Sequence, residues 1–431
     1  MSRPTARRAP RLVIALLALA GAPLPAQVIA ITGGTVHPVS GPALERATVL
    51  IRDGRIVAVG ADVAVPAGAR RIDATGKVVT PGLVHASTAL GLGVGRALAQ
   101  EDDEEYAAIG GTTDDNRTGD VNAAFNPLAA IDPDAVAIPI AAVGGVTTAV
   151  VMPTRGLVAG QAVAIDLAGT TLEAMTASAR LAMVADLSDA TRGTGGGSRA
   201  GALQRLRTLL DDARVYRQRR AEYERAGLRE LAAPAADLEA FWPVLDGQLP
   251  LYVRANRKAD IENVLRLARD YRLRVVLRGG AEAWKVAGAL AAARVPVVLD
   301  PRDNLPNFDG LGSRYDNATL LREAGVPVII AGNDPGGQAS VRYEAGHAVR
   351  NGMAWDDALA AITLEPARAF GLAARYGSLE PGKVANLVVW SGDPLDFAAR
   401  AEVVLVRGRE VPRANRHLEL LERYRTLPPA Y

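Results

Sequence analysis

The middle of this chain, residues 81–370, alternates short apolar runs with longer stretches rich in Ala, Leu and Arg. The clearest runs are 146–152, 251–254, 274–277, 295–299 and 326–331. Each is apolar along nearly its whole length rather than every second residue. Such runs suit parallel strands buried on both faces. Residues 261–271, 282–293 and 317–325 carry the spacing of helices between them. Repeated strand–helix units over this length predict an α/β fold built as a (β/α)8 TIM-type barrel.

The two ends read differently. Residues 28–80 are short β-rich runs with turn punctuation, and Asp53-Gly54 between two of them is a strong hairpin signal. The same texture returns after Gly371, with Arg407-Gly408-Arg409 as a turn. These ends predict one composite β-sandwich domain built from both termini, residues 27–80 and 371–413. The barrel lies at 81–370, and residues 414–431 form a C-terminal tail. Residues 200–231 are highly charged and are expected to form a solvent-facing helical region behind a Gly-rich loop at 192–198.

The first 26 residues read as a signal peptide. Arg3, Arg7, Arg8 and Arg11 precede an apolar run at 12–22. That run is too short for a bilayer span, which takes about 20 residues. Cleavage after Ala26 or after Ala22 fits the small residues there. Removing these four positive charges from the formal net charge of +2 leaves the rest of the chain at −2. A nearly neutral body gives no electrostatic basis for nucleic-acid binding. The chain has no Cys, which excludes disulfides, thiolate metal sites and a lipid-attached cysteine. An exported chain without Cys is expected in a bacterial periplasm, with no membrane contact after signal cleavage.

Several motifs carry a family resemblance. Ile51-Arg52-Asp53-Gly54-Arg55-Ile56 is followed by Asp73-Ala74-Thr75-Gly76-Lys77-Val78-Val79-Thr80-Pro81-Gly82-Leu83-Val84-His85. Gly144-Gly145-Val146-Thr147-Thr148 reads as a helix-to-strand turn. Ala360-Ala361-Ile362-Thr363-Leu364-Glu365-Pro366-Ala367-Arg368 and Gly377-Ser378-Leu379-Glu380-Pro381-Gly382-Lys383 lie near the C-terminus. Together they resemble the metal-dependent amidohydrolases of the imidazolonepropionase-like kind, over roughly residues 28–413. The resemblance implies a barrel carrying a split β-domain and hydrolysis of C–N bonds at a metal centre. It also implies metal ligands from an H-x-H pair on the first barrel strand, a strand-4 Lys, His on strands 5 and 6, and Asp on strand 8.

This chain departs from that ligand pattern. The H-x-H positions are Ser87 and Ala89, and His85 stands where the family has the preceding Asp. Arg254 and Gly279 occupy the strand-5 and strand-6 positions. The four Lys (77, 258, 285 and 383) offer no strand-4 ligand. Asp334, in Gly332-Asn333-Asp334-Pro335, matches the strand-8 Asp. Zinc lowers the pKa of bound water from about 15.7 to about 7, worth roughly 12 kcal/mol, which a lone Asp cannot supply.

Asp334 and His85 are therefore the candidate catalytic residues, and Arg254 and Arg278 are candidates for binding an anionic group. Arg278 also suits an outward position against a helix. Residues 156–161 lack the Lys-Ser/Thr of a phosphate loop and are expected to project near the site. Glu282 is expected simply to favour a helix N-terminus. The acidic run 101–105 reads as a solvated loop. Two functions follow from the family. The first is an exported, non-catalytic amidohydrolase-like protein that binds a small ligand or a partner, either an intact amidohydrolase paralogue or a second copy of itself. The second is a hydrolase of C–N bonds in amides or cyclic amides with a reduced or metal-free site. The first takes no cofactor; the second admits a single Zn2+ held in part by Asp334.

Overall fold

The computed structural model describes residues 28–92, 120–154, 156–191, 193, 197–303, 308–332 and 340–426. Their strands form two separate sheets of eight. The first receives β1 (Val28–Val36), β2 (Leu44–Arg52), β3 (Arg55–Gly60), β4 (Arg70–Asp73) and β5 (Val78–Pro81). The second, barrel sheet is formed by β6 (Leu83–Thr88), β7 (Val146–Val151), β8 (Val158–Asp166) and β9 (Thr176–Asp186). It continues through β10 (Leu251–Ala255), β11 (Val275–Gly279), β12 (Val297–Leu299) and β13 (Val328–Ile330). The chain then returns to the first sheet with β14 (Leu387–Trp390), β15 (Ala401–Val406) and β16 (Arg409–Glu410).

In the first sheet the order is β16-β15-β14-β5-β1-β2-β3, with β4 pairing β1 off this path. Strand β5 is sandwiched between β1 and β14, so the C-terminal strands add directly to the N-terminal ones. The Asp53-Gly54 turn has positive φ at both residues, 50° and 74°, the geometry that matches the twist of a two-residue hairpin. Arg407-Gly408 repeats it, with φ of 49° and 71°. The two turns pack together so closely that a Cβ on Gly54 would stand 2.7 Å from the Arg407 carbonyl oxygen. Glycine is required there by both backbone shape and space.

The second sheet runs in chain order from β6 to β13 and curls into a nearly closed eight-strand barrel. Strands β9 to β13 are mutually parallel, as are β6 and β7. One strand departs from the all-parallel expectation: β8 runs antiparallel between β7 and β9. Its flanking connections, residues 152–157 and 167–175, are too short for a crossover helix, which takes a dozen or more residues. Residues 156–161, expected as a projecting loop, are a turn that enters β8.

Two apolar shells fill the barrel. Outside it, strand residues such as Val253, Leu277 and Ile330 meet the surrounding helices. Inside, Val150, Val184, Tyr252, Val276, Val298 and Ile329 fill the bore, and Ala367, Phe370 and Tyr376 close its lower end. The helix Arg199–Gln218, expected to face solvent, instead buries Ala202, Leu206, Leu209, Leu210, Ala213 and Tyr216. Those residues recur every three or four positions, and one acid, Asp212, is buried with them, accepting from Arg229 Nη1 at 3.1 Å and the Ala232 N–H at 2.8 Å.

A buried Asp joins the two sheets. Asp166, at the end of β8, accepts from Thr148 Oγ1 at 2.9 Å, Asn386 Nδ2 at 3.0 Å, Tyr376 OH at 3.0 Å and Arg407 Nε at 2.6 Å. Burial, with the neighbouring carboxylate, pushes the Tyr376 hydroxyl up to about 12, so it stays a proton donor in this network.

Candidate functional site at the barrel mouth

Side chains alternate along a strand, so residues two apart share a face. Val184, Tyr252, Val276 and Val298 point into the bore. Two residues further along their strands come Asp186, Arg254, Arg278 and Asp300, which therefore ring the C-terminal mouth. The register fixes their neighbours: Arg254 pairs with Asp186 on β9 and with Arg278 on β11. The ring reads Asp, Arg, Arg, Asp, with two guanidinium groups adjacent and a carboxylate outside each. Active sites of barrel folds sit at this face, because the strand-end loops converge there.

The two arginines differ in their surroundings. Arg278 is largely buried and its Nη2 lies 2.5 Å from Asp300 Oδ2. Burial disfavours its charge, but Asp300 more than compensates and holds its pKa above the usual arginine value. Arg278 Nη1 and Asp300 Oδ1 are buried without a hydrogen-bond partner among the described residues. Arg254 is exposed, and its side chain has no hydrogen bond or ion pair among the described residues. Burial raises the Asp186 carboxyl, against the pull of Arg254. Asp186 also accepts from the Ser188 N–H at 2.7 Å.

Beneath the ring lie Tyr252, Ser87 and His85. The Tyr252 hydroxyl is raised by burial and is opposed by Arg278. Strand β6 is bulged, with register shifts beside Val84 and between His85 and Thr88. The Ser87 hydroxyl lies 3.7 Å from Met152 Sδ. His85 is buried, and its Nδ1 faces the Ser87 N–H at 3.4 Å. Burial, reinforced by Arg278, pushes the imidazole down to about 4, so it is neutral at pH 7. Accepting at Nδ1 places its proton on Nε2, which has no partner among the described residues.

Above the ring is an open cleft of about 80 Å³, lined by Arg254, Asn256, Arg278, Asp300, Asp303 and Tyr315 among others. The loop 308–316 forms its outer wall. Asn256 Nδ2 donates to Asp309 Oδ2 at 2.6 Å, and Trp284 Nε1 to the Gly312 carbonyl at 2.9 Å. The Arg314 guanidinium sits 4.8 Å over the Trp284 ring. Glu282 accepts from the Lys258 N–H at 2.9 Å and from Lys285 Nζ at 2.6 Å, so it links two loops.

The structure brings His85, Arg254 and Arg278 to one end of the barrel. Asp334 and residues 101–105 lie outside the described residues. Arg278, for which an outward position was also open, turns inward to Asp300. Asp186, Tyr252, Asp300 and Asp303 were not singled out from the sequence. For the first three, the available signal was a polar residue at bore spacing on an apolar strand.

The described residues at the mouth do not fit the divalent metal that the family pattern implies. Ser87 is turned to a sulfur, Ala89 has no donor atom, and Arg254 and Arg278 bring positive charge. Gly279 has φ of +89°, and a Cβ there would stand 2.3 Å from Asn256 Oδ1, so the backbone rejects an imidazole at that position. Among the described residues, no three His, Cys, Asp or Glu side chains converge to hold a metal.

Comparison with known proteins places this site in a family. The amidohydrolase family pattern matches residues 283–412. An imidazolonepropionase of Acidiphilium cryptum is 27% identical over 385 residues, covering 82% of this chain and 89% of that protein. An imidazolonepropionase of Pseudomonas aeruginosa is 46% identical over 65 residues, and the chain spans only 15% of that relative's length. The crystal structure of an amidohydrolase from Thermotoga maritima superposes with a TM-score of 0.79 at 27% identity, covering 90% of this chain and all of that one. The chain belongs to the amidohydrolase superfamily.

Proposed function

We propose that this chain is an exported amidohydrolase-family protein that binds a small ligand in the barrel mouth without a divalent metal and without turning it over. The observation that carries this reading is the adjacent pair Arg254 and Arg278 at the ends of β10 and β11. Two guanidinium groups there disfavour a metal and favour an anionic group. His85 gives no compensating base, because its basic nitrogen faces a backbone N–H and its pKa is about 4. Export rests on the basic and apolar pattern of residues 1–26, which lie outside the described residues. The finer architecture we propose is a (β/α)8-type barrel at 81–370 with a β-sandwich from 27–80 and 371–413. An intact amidohydrolase paralogue or a second copy is the proposed macromolecular partner.

A second reading draws on the names of the relatives, an amidohydrolase and imidazolonepropionases. It makes the chain a hydrolase of C–N bonds acting through His85, Arg254 and Asp334. Turnover assays of the mature chain on a panel of amides and lactams, with and without added zinc, separate the two. No turnover in either condition is expected. Turnover abolished by Asp334→Ala would establish the second reading instead.

A further inference from the structure

Five described charged residues line the mouth cleft, and three of them, Arg278, Asp300 and Arg314, are in ion pairs. Arg278 is held by Asp300 at 2.5 Å, and Arg314 by Asp316 at 2.6 Å. Two charges are not. The Arg254 guanidinium and the Asp303 carboxylate both line the cleft with no side-chain hydrogen bond or ion pair among the described residues, although Arg254 feels Asp186 and Asp303 feels Arg278 at longer range. One is positive and one negative, and they stand on different strand ends, β10 and the segment after β12. Below them Arg278 Nη1 is buried without a hydrogen-bond partner among the described residues. Buried polar groups in native proteins are nearly always satisfied, so an unpartnered one at the floor of a cleft points to a polar ligand.

The cleft is open to solvent, with about 80 Å³ of volume between its walls.

We infer that the ligand is a zwitterion with a carboxylate and an ammonium, as in a free α-amino acid, with its carboxylate on Arg254 and its ammonium on Asp303. This rests on the reading of the mouth as a metal-free binding site. Arg254 offers a planar fork of N–H donors matched to a carboxylate. Asp303 accepts from an ammonium. A ligand with only one of the two charges leaves one side chain without a partner.

Calorimetric titration of the mature chain with the common L-amino acids tests this directly. At least one should bind. Its α-amide, which lacks the carboxylate, and its deaminated acid, which lacks the ammonium, should each bind roughly 10- to 100-fold more weakly, the worth of one charge-assisted contact. Arg254→Gln should weaken the amino acid but not the α-amide, and Asp303→Asn should weaken the amino acid but not the deaminated acid. Both side chains are exposed, so unchanged melting temperatures without ligand will show that the variants fold. Simple carboxylates such as propionate binding as well as any amino acid would overturn the zwitterion while leaving a metal-free anion site in place. No binding by any amino acid or carboxylate would overturn the inference; amide turnover by the same preparation would overturn the underlying reading as well.

Discussion

His85 shows how far a single side chain can be moved from its usual chemistry. An exposed imidazole titrates near 6.5, but burial and Arg278 hold this one at about 4. The unfolded chain therefore takes up a proton at His85 between those values and the folded chain does not. Stability falls as the pH drops from about 6.5 to about 4, by roughly 3 kcal/mol from this group. Denaturant midpoints at pH 7.5 and pH 4.5 should show that loss in the native chain and a smaller one in His85→Gln. An equal loss in both would mean that His85 already carries a proton in the folded state. Sequence motifs marked Ser87, Arg254 and Gly279 as positions of interest on barrel strands, and the structure places them on β6, β10 and β11. They did not expose what those residues do. Arg278 turning inward depends on Asp300, which lies 22 positions on and meets it only through the β11–β12 pairing.

At the scale of elements, the strands with long apolar runs were legible. The runs at 146–152, 251–254 and 326–331 correspond to β7, β10 and β13, shifted by at most two residues. Strands β8 and β9 were not, although β8 is buried along its whole length. Direction is set by connection length, which apolar pattern alone does not reveal, and so the antiparallel β8 came from the structure. Strand ends also determine what the site can hold. Gly279 closes β11 in a left-handed conformation against Asn256. Restoring the histidine of the family pattern, Gly279→His, should cost about 2 kcal/mol or more from backbone strain and the contact with Asn256. Urea titration measures this, and an unchanged midpoint would show that the backbone tolerates a ligand side chain there.

Across the whole molecule, the family frame is kept while the chemistry at its mouth is changed. The composite sheet still closes on β5 and β14, and Asp166 still joins barrel to sheet through Arg407 and Asn386. The opposite end carries a ring of two arginines and two aspartates, Asp186, Arg254, Arg278 and Asp300. The frame was readable because its turns demand particular residues, such as Asp53-Gly54 and Arg407-Gly408. The ring was not, because it is assembled from four strands and no local motif spans it. The measurement that bears most directly on this account is the metal content of the purified mature chain after incubation with excess zinc and gel filtration. The account predicts far less than one metal ion per chain and a melting temperature unaffected by a chelator. One or more tightly bound ions per chain, lost in Asp334→Ala, would contradict it.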